Sequence, residues 1–252
     1  MTERVALVTG ASSGIGRAVV VELRRRGLAV MAVARREDRL RRLAEETGAA
    51  YHAVSVDTPR GCAEAVEATV AALGPVEVLV NNAAIGSAAD ASVLGLDSEA
   101  WRAILSLDLD APFELTRLCA PGMVARGWGR VVMVSSTSAR AGEPDSAAYC
   151  AAKAGLLGLA RSVAIDLAAH GVTCNCVLPG WVRTEMADAS AAREAAASGR
   201  SAEEVWSQRA ASYPSGRVVT PEEVASVVAF LASPEASGIN GEEVTVAGGG
   251  RE

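Results

Sequence analysis

Short apolar runs alternate with longer segments of helical pattern along the whole 252-residue chain. Most of the apolar runs are continuous, which is typical of strands whose two sheet faces are both covered. The predicted strands are residues 5–8, 29–33, 51–55, 76–80, 130–134, 172–177 and 243–246. The predicted helices are residues 16–26, 36–46, 60–73, 98–126, 147–169 and 222–232. This alternation predicts an α/β fold with a doubly wound, seven-stranded, mainly parallel sheet and helices on both faces.

The chain has no internal repeat and no Pro/Gly-rich linker that would divide it, so we expect a single domain spanning residues 1–252. Residues 185–216 interrupt the alternation with Ala-rich helical sequence between the sixth strand and the last helix. Such a segment is either a surface excursion or a lid over a substrate pocket. Because binding residues favour the C-terminal ends of parallel strands, we favour a helical substrate lid.

The composition of the chain bears on which partners, cellular location and metals can be expected. The formal net charge of -6 disfavours nucleic-acid binding. Five cysteines without disulfide-framework spacing predict a reducing, cytoplasmic location, and no signal peptide opens the sequence. Its apolar runs are too short and too interrupted by glycine to predict a membrane span. Cys174 and Cys176 share a strand face, but no further ligand lies nearby in sequence, so we expect no metal.

A glycine-rich turn, "TGASSGIG" at residues 9–16, follows the first predicted strand and opens the first helix. Glycines let the backbone approach a pyrophosphate, and the N–H groups at the start of a helix favour an anion. A turn of this kind is also common as a purely structural feature, but its place after the first strand of an α/β chain favours a nucleotide site. The predicted cofactor-binding residues of this turn are Gly10, Ser12, Ser13, Gly14, Ile15 and Gly16.

The end of the second predicted strand bears on the choice of cofactor. An NAD site usually has an acidic residue there for the ribose 2′-hydroxyl, whereas this chain has Ala34 followed by Arg35 and Arg36. A guanidinium binds a 2′-phosphate in bidentate fashion, and a carboxylate would repel it. The alternative is a solvated arginine pair that opens a helix. We predict NADP(H) as the cofactor, bound by both arginines.

Lys153 is the only lysine of the chain, which otherwise uses arginine for positive charge. It follows Tyr149 by four residues in a predicted helix, so the two side chains share one face. A free tyrosine has a pKa of ~10 and exchanges protons poorly at neutral pH. A nearby ammonium stabilises the phenolate and lowers that pKa. The pair therefore indicates proton transfer rather than a surface contact.

Six motifs together resemble the short-chain dehydrogenase/reductase family, in its compact single-domain form, over nearly the whole chain. They are "TGASSGIG" at residues 9–16, "NNAA" at 81–84, "SS" at 135–136, "YCAAK" at 149–153, "PGWVRT" at 179–184 and "VAGGG" at 246–250. The resemblance implies a Rossmann-type fold and hydride transfer between NADP(H) and a carbonyl or alcohol carbon. It also implies Tyr149 as general acid/base, Lys153 as its partner on the nicotinamide ribose, and Ser136 as a hydrogen-bond donor to the carbonyl oxygen.

Further cofactor contacts follow from the resemblance position by position. Those implied after the third, fourth and sixth strands are Asp57, Thr58, Asn82, Ala83, Pro179, Gly180, Val182 and Thr184. The family also implies a homotetramer built through its long helices, here residues 98–126 and 147–169. Strand-end caps and ordinary turns are the alternatives for Asp57 and for the Pro-Gly pair.

Three positions depart from the family pattern. Asp108 stands where the family usually has asparagine, at a helix distortion whose backbone carbonyl holds a water linked to the lysine. We predict Asp108 as a fourth catalytic residue whose carboxylate changes the charge near Lys153. Ala84 replaces the glycine of "NNAG", and Ala247 replaces the acidic residue of "VDGG".

The predicted function is reversible reduction of a ketone to a secondary alcohol. A 3-oxoacyl-(acyl-carrier-protein) or polyketide-type ketoreductase, an NAD-dependent alcohol dehydrogenase and a non-catalytic NADP-binding regulator are the alternatives. A Ser/His/Asp hydrolase is disfavoured because neither His52 nor His170 sits in a catalytic type of turn. The predicted substrate-pocket residues are Ser138, Glu143, Trp181, Met186, Trp206 and Tyr213. The motifs leave open the substrate, its carrier, the direction and stereochemistry of the reaction, and dimer versus tetramer.

Overall fold

A single parallel sheet organises the computed structural model, which describes residues 3–86 and 92–250. Within these residues the strands are β1 Val5–Thr9, β2 Ala29–Ala34, β3 Ala50–Ala53, β4 Val78–Asn81, β5 Gly129–Val134, β6 Val172–Pro179 and β7 Glu243–Val246. Their order in the sheet is β3-β2-β1-β4-β5-β6-β7, and every neighbouring pair is parallel. The predicted α/β fold with a seven-stranded, doubly wound sheet is confirmed.

Helices cover both faces of the sheet. They are α1 Gly14–Arg25, α2 Glu37–Thr47, α3 Pro59–Leu73, α4 Ser98–Leu105, α5 Ala111–Arg126, α6 Ala147–Leu167, α7 Glu185–Ser198, α8 Ala202–Ala211 and α9 Pro221–Leu231. Apolar residues of α1, α2 and α9 form one core cluster with the sheet, and those of α3, α5 and α6 form the other. Both faces of β1, β4 and β5 are therefore buried, which explains their continuous apolar sequence.

The strand order places the ligand-binding crevice. Chain connections move outward from β1 to β2 and β3, and then return to β4 on the other side of β1. In such a sheet, the loops after β1 and β4 diverge to opposite faces and leave a crevice at their C-terminal ends. The glycine-rich turn after β1 and the "NNAA" segment after β4 both lie at this point.

One predicted helix is wrong in detail. Residues 98–126 form α4 and α5 joined by a π-helix, Ser106–Asp110, rather than a continuous α-helix. The wider π-helical turn directs Asp108 toward the protein interior, where it is fully buried. Gly155 of α6 permits the close approach of this turn, because a Cβ there would lie 2.9 Å from Leu109 Cδ2. Two predicted strands are also displaced: residues 51–55 end at Ala53, and residues 76–80 are replaced by Val78–Asn81.

The expectation that no segment is long and apolar enough to span a membrane is wrong for α6 together with the three residues of 3-10 helix that follow it, Ala168–His170. Ala147–His170 is long and apolar enough to cross a bilayer by length and composition alone. In the structure, however, this helix packs against β6 and supplies Leu156 and Leu157 to the core. This packing buries 39% of the 18-residue apolar window, and Ile165 of the same helix is 79% exposed.

The predicted lid segment, residues 185–216, contains α7 and α8, which pack against each other. Ala187, Ala191, Ala195, Val205 and Trp206 form a small apolar cluster of their own between the two helices. Alanines on α7 allow the close packing, while its mixed surface gives little sequence signal for which face is buried.

Candidate active site

A cleft with a volume of about 560 Å³ lies beside the C-terminal ends of the strands, within the range of small-molecule and cofactor sites. It is lined by the segments that follow β1, β2, β4, β5 and β6 and by the first turns of α7. Most of the predicted site residues meet there. They are Gly10, Ser12, Ser13, Gly14, Ile15, Gly16, Arg35, Arg36, Asn82, Ala83, Ser136, Ser138, Glu143, Tyr149, Lys153, Pro179, Gly180, Trp181, Val182, Thr184 and Met186.

The glycine-rich turn has the conformation that a phosphate site requires. Gly10 and Gly14 have φ values of 66° and 53°, in the left-handed region that disfavours side chains. A Cβ at Gly16 would lie 2.4 Å from the carbonyl oxygen of Gly10. Ser13 occupies the N-cap of α1 without a side-chain bond to its first turn, so those N–H groups are available to an anion.

Asn82 ties the two halves of the crevice together. Its side-chain amide donates to the carbonyl of Thr9 at 2.8 Å, and its backbone N–H donates to Thr9 Oγ1 at 3.0 Å. The N–H of Ala83 also donates to Thr9 Oγ1, at 3.0 Å. These bonds join the end of β4 to the end of β1, so Asn82 fixes the shape of the cleft as well as lining it.

The two arginines after β2 differ in their contacts. Arg36 donates to Ser12 Oγ at 2.9 Å, to Ser13 Oγ at 2.7 Å and to Glu185 Oε2 at 3.0 Å. Arg35 is exposed, and the described residues offer it no hydrogen bond or ion pair. Both line the cleft next to the glycine-rich turn, and a guanidinium group is chemically suited to donate to a phosphate.

Lys153 and Asp108 form a buried ion pair behind the cleft. Lys153 Nζ lies 3.4 Å from Asp108 Oδ2 and donates to the carbonyl of Val134 at 3.3 Å. Asp108 Oδ1 accepts the backbone N–H of Ile85 at 2.9 Å. Burial raises the pKa of the Asp108 carboxyl above its ordinary value, although the Lys153 ammonium lowers it. Burial lowers the pKa of Lys153, but Asp108 and Tyr149 outweigh it, so the net direction is upward.

The prediction for Asp108 is therefore corrected in one respect. Asp108 does not line the cleft, and it reaches the site through its side chain to Lys153 rather than as a group that meets a ligand. The predicted helix distortion is present as the π-helix that carries Asp108.

Tyr149 is half-buried on the cleft wall and has a neighbouring cation. Lys153 Nζ lies 5.4 Å from the centroid of the tyrosine ring. Burial raises the pKa of Tyr149, while the Lys153 ammonium lowers it and the Asp108 carboxylate raises it; the net direction is upward. A hydrogen bond with Ser136 acts downward on the same pKa. The phenol therefore stays protonated at neutral pH in the absence of further cations and is able to donate a proton.

Ser136 belongs to a chain of polar groups. Its hydroxyl donates to Ser138 Oγ at 2.9 Å and accepts the Ser138 N–H at 3.1 Å. Ser138 in turn donates to Glu143 Oε1 at 2.6 Å. This chain holds Ser136 beside Tyr149 and places a carboxylate on the cleft wall.

Besides Asp108, four predicted residues do not line the cleft: Asp57, Thr58, Trp206 and Tyr213. Thr58 caps α3 by accepting the N–H of Gly61 at 3.2 Å, and exposed Asp57 precedes it. The cleft reaches this region through Val54, Ser55 and Val56 instead.

Trp206 and Tyr213, which are predicted as substrate contacts, lie behind the residues that line the cleft. Tyr213 Oη accepts the N–H of Trp181 at 2.7 Å. Trp206 is buried and donates to Asp188 Oδ1 at 3.0 Å. Buried Arg209 stacks 3.6 Å from the ring centroid of Trp181. The lid aromatics thus hold Trp181, which does line the cleft.

Several cleft residues escaped sequence reasoning. They are Val54, Ser55, Val56, Ile85, Gly86, Leu107, Glu185, Ala189, Ser190 and Arg193. Residues 54–56 lie at the end of a predicted strand, and residues 85–86 directly follow the "NNAA" segment, so position alone was a usable signal. Glu185 and Arg193 are charged residues of helix α7, where charge more often marks a solvated face.

No cluster of three His, Cys, Asp or Glu side chains in the described ranges is arranged to hold a metal ion. Cys174 and Cys176 are both fully buried in the core of the sheet. The donor chemistry fits a dinucleotide instead: a glycine turn at a helix start, serine hydroxyls, guanidinium groups and a cleft that ends at Tyr149 and Lys153.

The chain matches a family described as enoyl-(acyl carrier protein) reductase over residues 10–250. Acetoacetyl-CoA reductase of Shinella zoogloeoides is 38% identical over 248 residues, which are 98% of each chain. The 3-oxoacyl-(acyl-carrier-protein) reductase of Vibrio cholerae is 36% identical over 248 residues, 98% of this chain and 96% of the relative. A solved actinorhodin polyketide ketoreductase variant with NADPH has a TM-score of 0.92 and 36% identity, covering 99% of this chain and 98% of the other.

Proposed function

The chain belongs to the short-chain dehydrogenase/reductase family, and from this premise we propose that it is an NADP(H)-dependent oxidoreductase interconverting a ketone and a secondary alcohol. The observation that carries the proposal is the meeting of Ser136, Tyr149 and Lys153 in the cleft that also contains the glycine-rich turn and the arginine pair. A binding protein on the same fold would have no use for a protonated phenol beside a buried ammonium.

The nicotinamide, when bound, supplies or accepts the hydride. In the direction of reduction, Tyr149 Oη donates a proton to the substrate oxygen as negative charge develops there. Lys153 stabilises the phenolate that remains, because its ammonium is held within reach by Asp108 and the Val134 carbonyl. The Ser136 hydroxyl, which otherwise donates to Ser138 Oγ, turns its proton to the same substrate oxygen and lowers the cost of the negative charge there. In the direction of oxidation, Tyr149 accepts the proton.

Recognition of NADP(H) rests on Arg35 and Arg36, with Ser12 and Ser13 as neighbouring hydroxyl donors. Ala34 leaves no carboxylate to bind a free ribose 2′-hydroxyl or to repel a 2′-phosphate. We expect kcat/KM for NADPH to exceed that for NADH, and Arg35→Asp to shift the preference toward NADH. A clear preference of the unaltered protein for NADH would overturn this assignment.

A second candidate narrows the substrate to a 3-oxoacyl thioester. Two relatives are named as reductases of acetoacetyl-CoA and of 3-oxoacyl groups on a carrier protein. The cleft wall near Ser138 and Glu143 is polar, whereas Trp181 and Met186 supply apolar surface. The discriminating experiment follows NADPH oxidation with acetoacetyl-CoA beside a panel of free cyclic and aryl ketones. Turnover of the thioester alone supports the second candidate, and binding of NADPH without turnover of any ketone favours a regulatory protein.

Assembly is proposed through the outer faces of α5 and α6. Phe113 on α5 and Ile165 on α6 are 48% and 79% exposed, and both are large apolar side chains. Burying them between copies would remove them from water. We expect light scattering to give a tetramer and Ile165→Glu to give a smaller species. A monomer for the unaltered chain would refute the assembly but not the reaction.

A further inference from the structure

Glu185 occupies the cationic surface on which the proposed function requires a phosphate. It is the first residue of α7, and its carboxylate contacts Arg36 Nη1 at 3.0 Å and also Arg39 Nη1. Arg36 is the residue that also donates to Ser12 and Ser13 of the glycine-rich turn. The carboxylate therefore sits at one end of a run of donors that reaches the predicted phosphate site.

We propose that Glu185 is an internal competitor for the adenosine 2′-phosphate, so that binding of a 2′-phosphorylated adenosine displaces it from Arg36 and frees the first turn of the lid helix α7. This inference rests on the proposed NADP(H) dependence. A carboxylate and a phosphate both bind guanidinium in bidentate geometry, and two anions on one guanidinium repel each other. The pKa of Glu185 lies below its usual range because of Arg39 and then Arg36, so the competitor is an anion at neutral pH.

The exchange requires a contact that is easily broken. Side chains of Arg36 and Glu185 are 42% and 56% exposed, and ion pairs of this kind contribute little to stability. A phosphate brings more negative charge and more acceptor oxygens than a carboxylate, so it displaces Glu185 without a large penalty. An adenosine nucleotide without the 2′-phosphate has no anion to place on Arg36, so it leaves the ion pair between Arg36 and Glu185 intact.

The same residue links the cofactor end of the cleft to the lid. Glu185 begins α7, and Met186, Ala189 and Ser190 from the first turns of that helix line the cleft as well. While Arg36 and Arg39 hold Glu185, the start of α7 is tied to the segment after β2. Release of the carboxylate removes that tie, so NADP(H) and not NAD(H) changes the mobility of this part of the lid.

Calorimetric titration of 2′,5′-ADP and 5′-AMP into the unaltered protein and Glu185→Gln tests the competition without any turnover. We expect Glu185→Gln to bind 2′,5′-ADP about fivefold more tightly, since the competitor has lost its charge, and to bind 5′-AMP with unchanged affinity. Glu203→Gln is the matched control: Glu203 is also an exposed lid glutamate, paired with Arg183 at 3.0 Å, and it does not line the cleft. Its affinities for both ligands are expected to equal those of the unaltered protein.

Hydrogen exchange at the first turn of α7 tests the release. We expect 2′,5′-ADP to speed exchange there in the unaltered protein, 5′-AMP to leave it unchanged, and Glu185→Gln to exchange fast without ligand. Equal or weaker binding of 2′,5′-ADP by Glu185→Gln overturns the inference, as does exchange that does not respond to the 2′-phosphate. If the unaltered protein binds 2′,5′-ADP no better than 5′-AMP, the proposed cofactor is itself wrong.

Discussion

The buried pair of Lys153 and Asp108 makes a quantitative prediction for Lys153→Met. The two charges lie 3.4 Å apart and are almost completely shielded from water. At an effective dielectric constant of ~20 their attraction is about 5 kcal/mol. Removing one partner of a buried pair typically costs ~3–5 kcal/mol, because the other charge is left without compensation. We therefore expect Lys153→Met to lower the free energy of unfolding by roughly 4 kcal/mol at pH 7.

The cost has a predictable dependence on pH. Without Lys153, burial still raises the pKa of Asp108 and only the Ile85 N–H acts against it, so the pKa rises further and we expect the folded variant to keep the carboxyl neutral. A carboxyl of ordinary pKa ~3.9 must then take up a proton on folding, at a cost of about 4 kcal/mol at pH 7 and about 1.5 kcal/mol at pH 5. A raised folded-state pKa favours folding at low pH and loses that advantage as the pH rises. The deficit of Lys153→Met should accordingly shrink toward pH 5.

Urea unfolding at fixed protein concentration, followed by circular dichroism, measures this deficit. The matched control is Lys153→Met combined with Asp108→Asn, since the amide oxygen still accepts the Ile85 N–H that Asp108 Oδ1 accepts at 2.9 Å. The double variant is expected to recover most of the lost free energy at pH 7. Equal stability of the single and double variants at pH 7, or a deficit that does not change with pH, would refute the reasoning.

Three further predictions concern the reaction, the turn and the lid. Asp108→Asn should move the pH profile of kcat/KM for alcohol oxidation to lower pH, because the Asp108 carboxylate acts to raise the pKa of Tyr149. A shift of this profile to higher pH would contradict the prediction. Gly16→Val should abolish NADPH binding in titrations, since the valine Cβ would lie 2.4 Å from the backbone oxygen of Gly10. Retained affinity for NADPH would contradict the assignment of this turn as a cofactor site. Arg209→Leu removes the guanidinium that stacks on Trp181, so it should lower kcat/KM for the ketone roughly tenfold and leave the affinity for NADPH unchanged. An unchanged kcat/KM would show that Arg209 does not hold Trp181 in place for the substrate.

The fold was predictable because hydrophobic burial and sheet geometry act locally and repeat along the chain. Continuous apolar strands such as Ala29–Ala34 indicated a sheet covered on both faces, and the structure has that arrangement. The π-helix at Ser106–Asp110 was not predictable from periodicity. A single extra residue in a turn changes the apolar pattern very little, and only the resemblance to a family pointed to a distortion there.

The cleft residues were predictable where the backbone conformation requires a particular residue type. They were less predictable where a side chain could either pack in the protein or contact a ligand. Gly10 and Gly14 adopt positive φ as the turn demands, and Arg35 and Arg36 follow a strand end that must face the crevice. Trp206 and Tyr213 are predicted as substrate contacts because they belong to the segment interpreted as a lid over the substrate pocket. Their burial against Arg209 and Trp181 depends on how α7 and α8 pack, which an Ala-rich sequence does not specify.

The central claim is that Tyr149 exchanges the proton of the reaction, and Tyr149→Phe tests it most directly. The substitution removes only the phenolic oxygen, so the aromatic ring beside Lys153 remains. The measurement is kcat for NADPH oxidation with a ketone that the unaltered protein reduces, made on a variant whose NADPH affinity is unchanged. We predict a loss of at least ~100-fold, the scale of general acid catalysis. An ordinary kcat for Tyr149→Phe would contradict the mechanism.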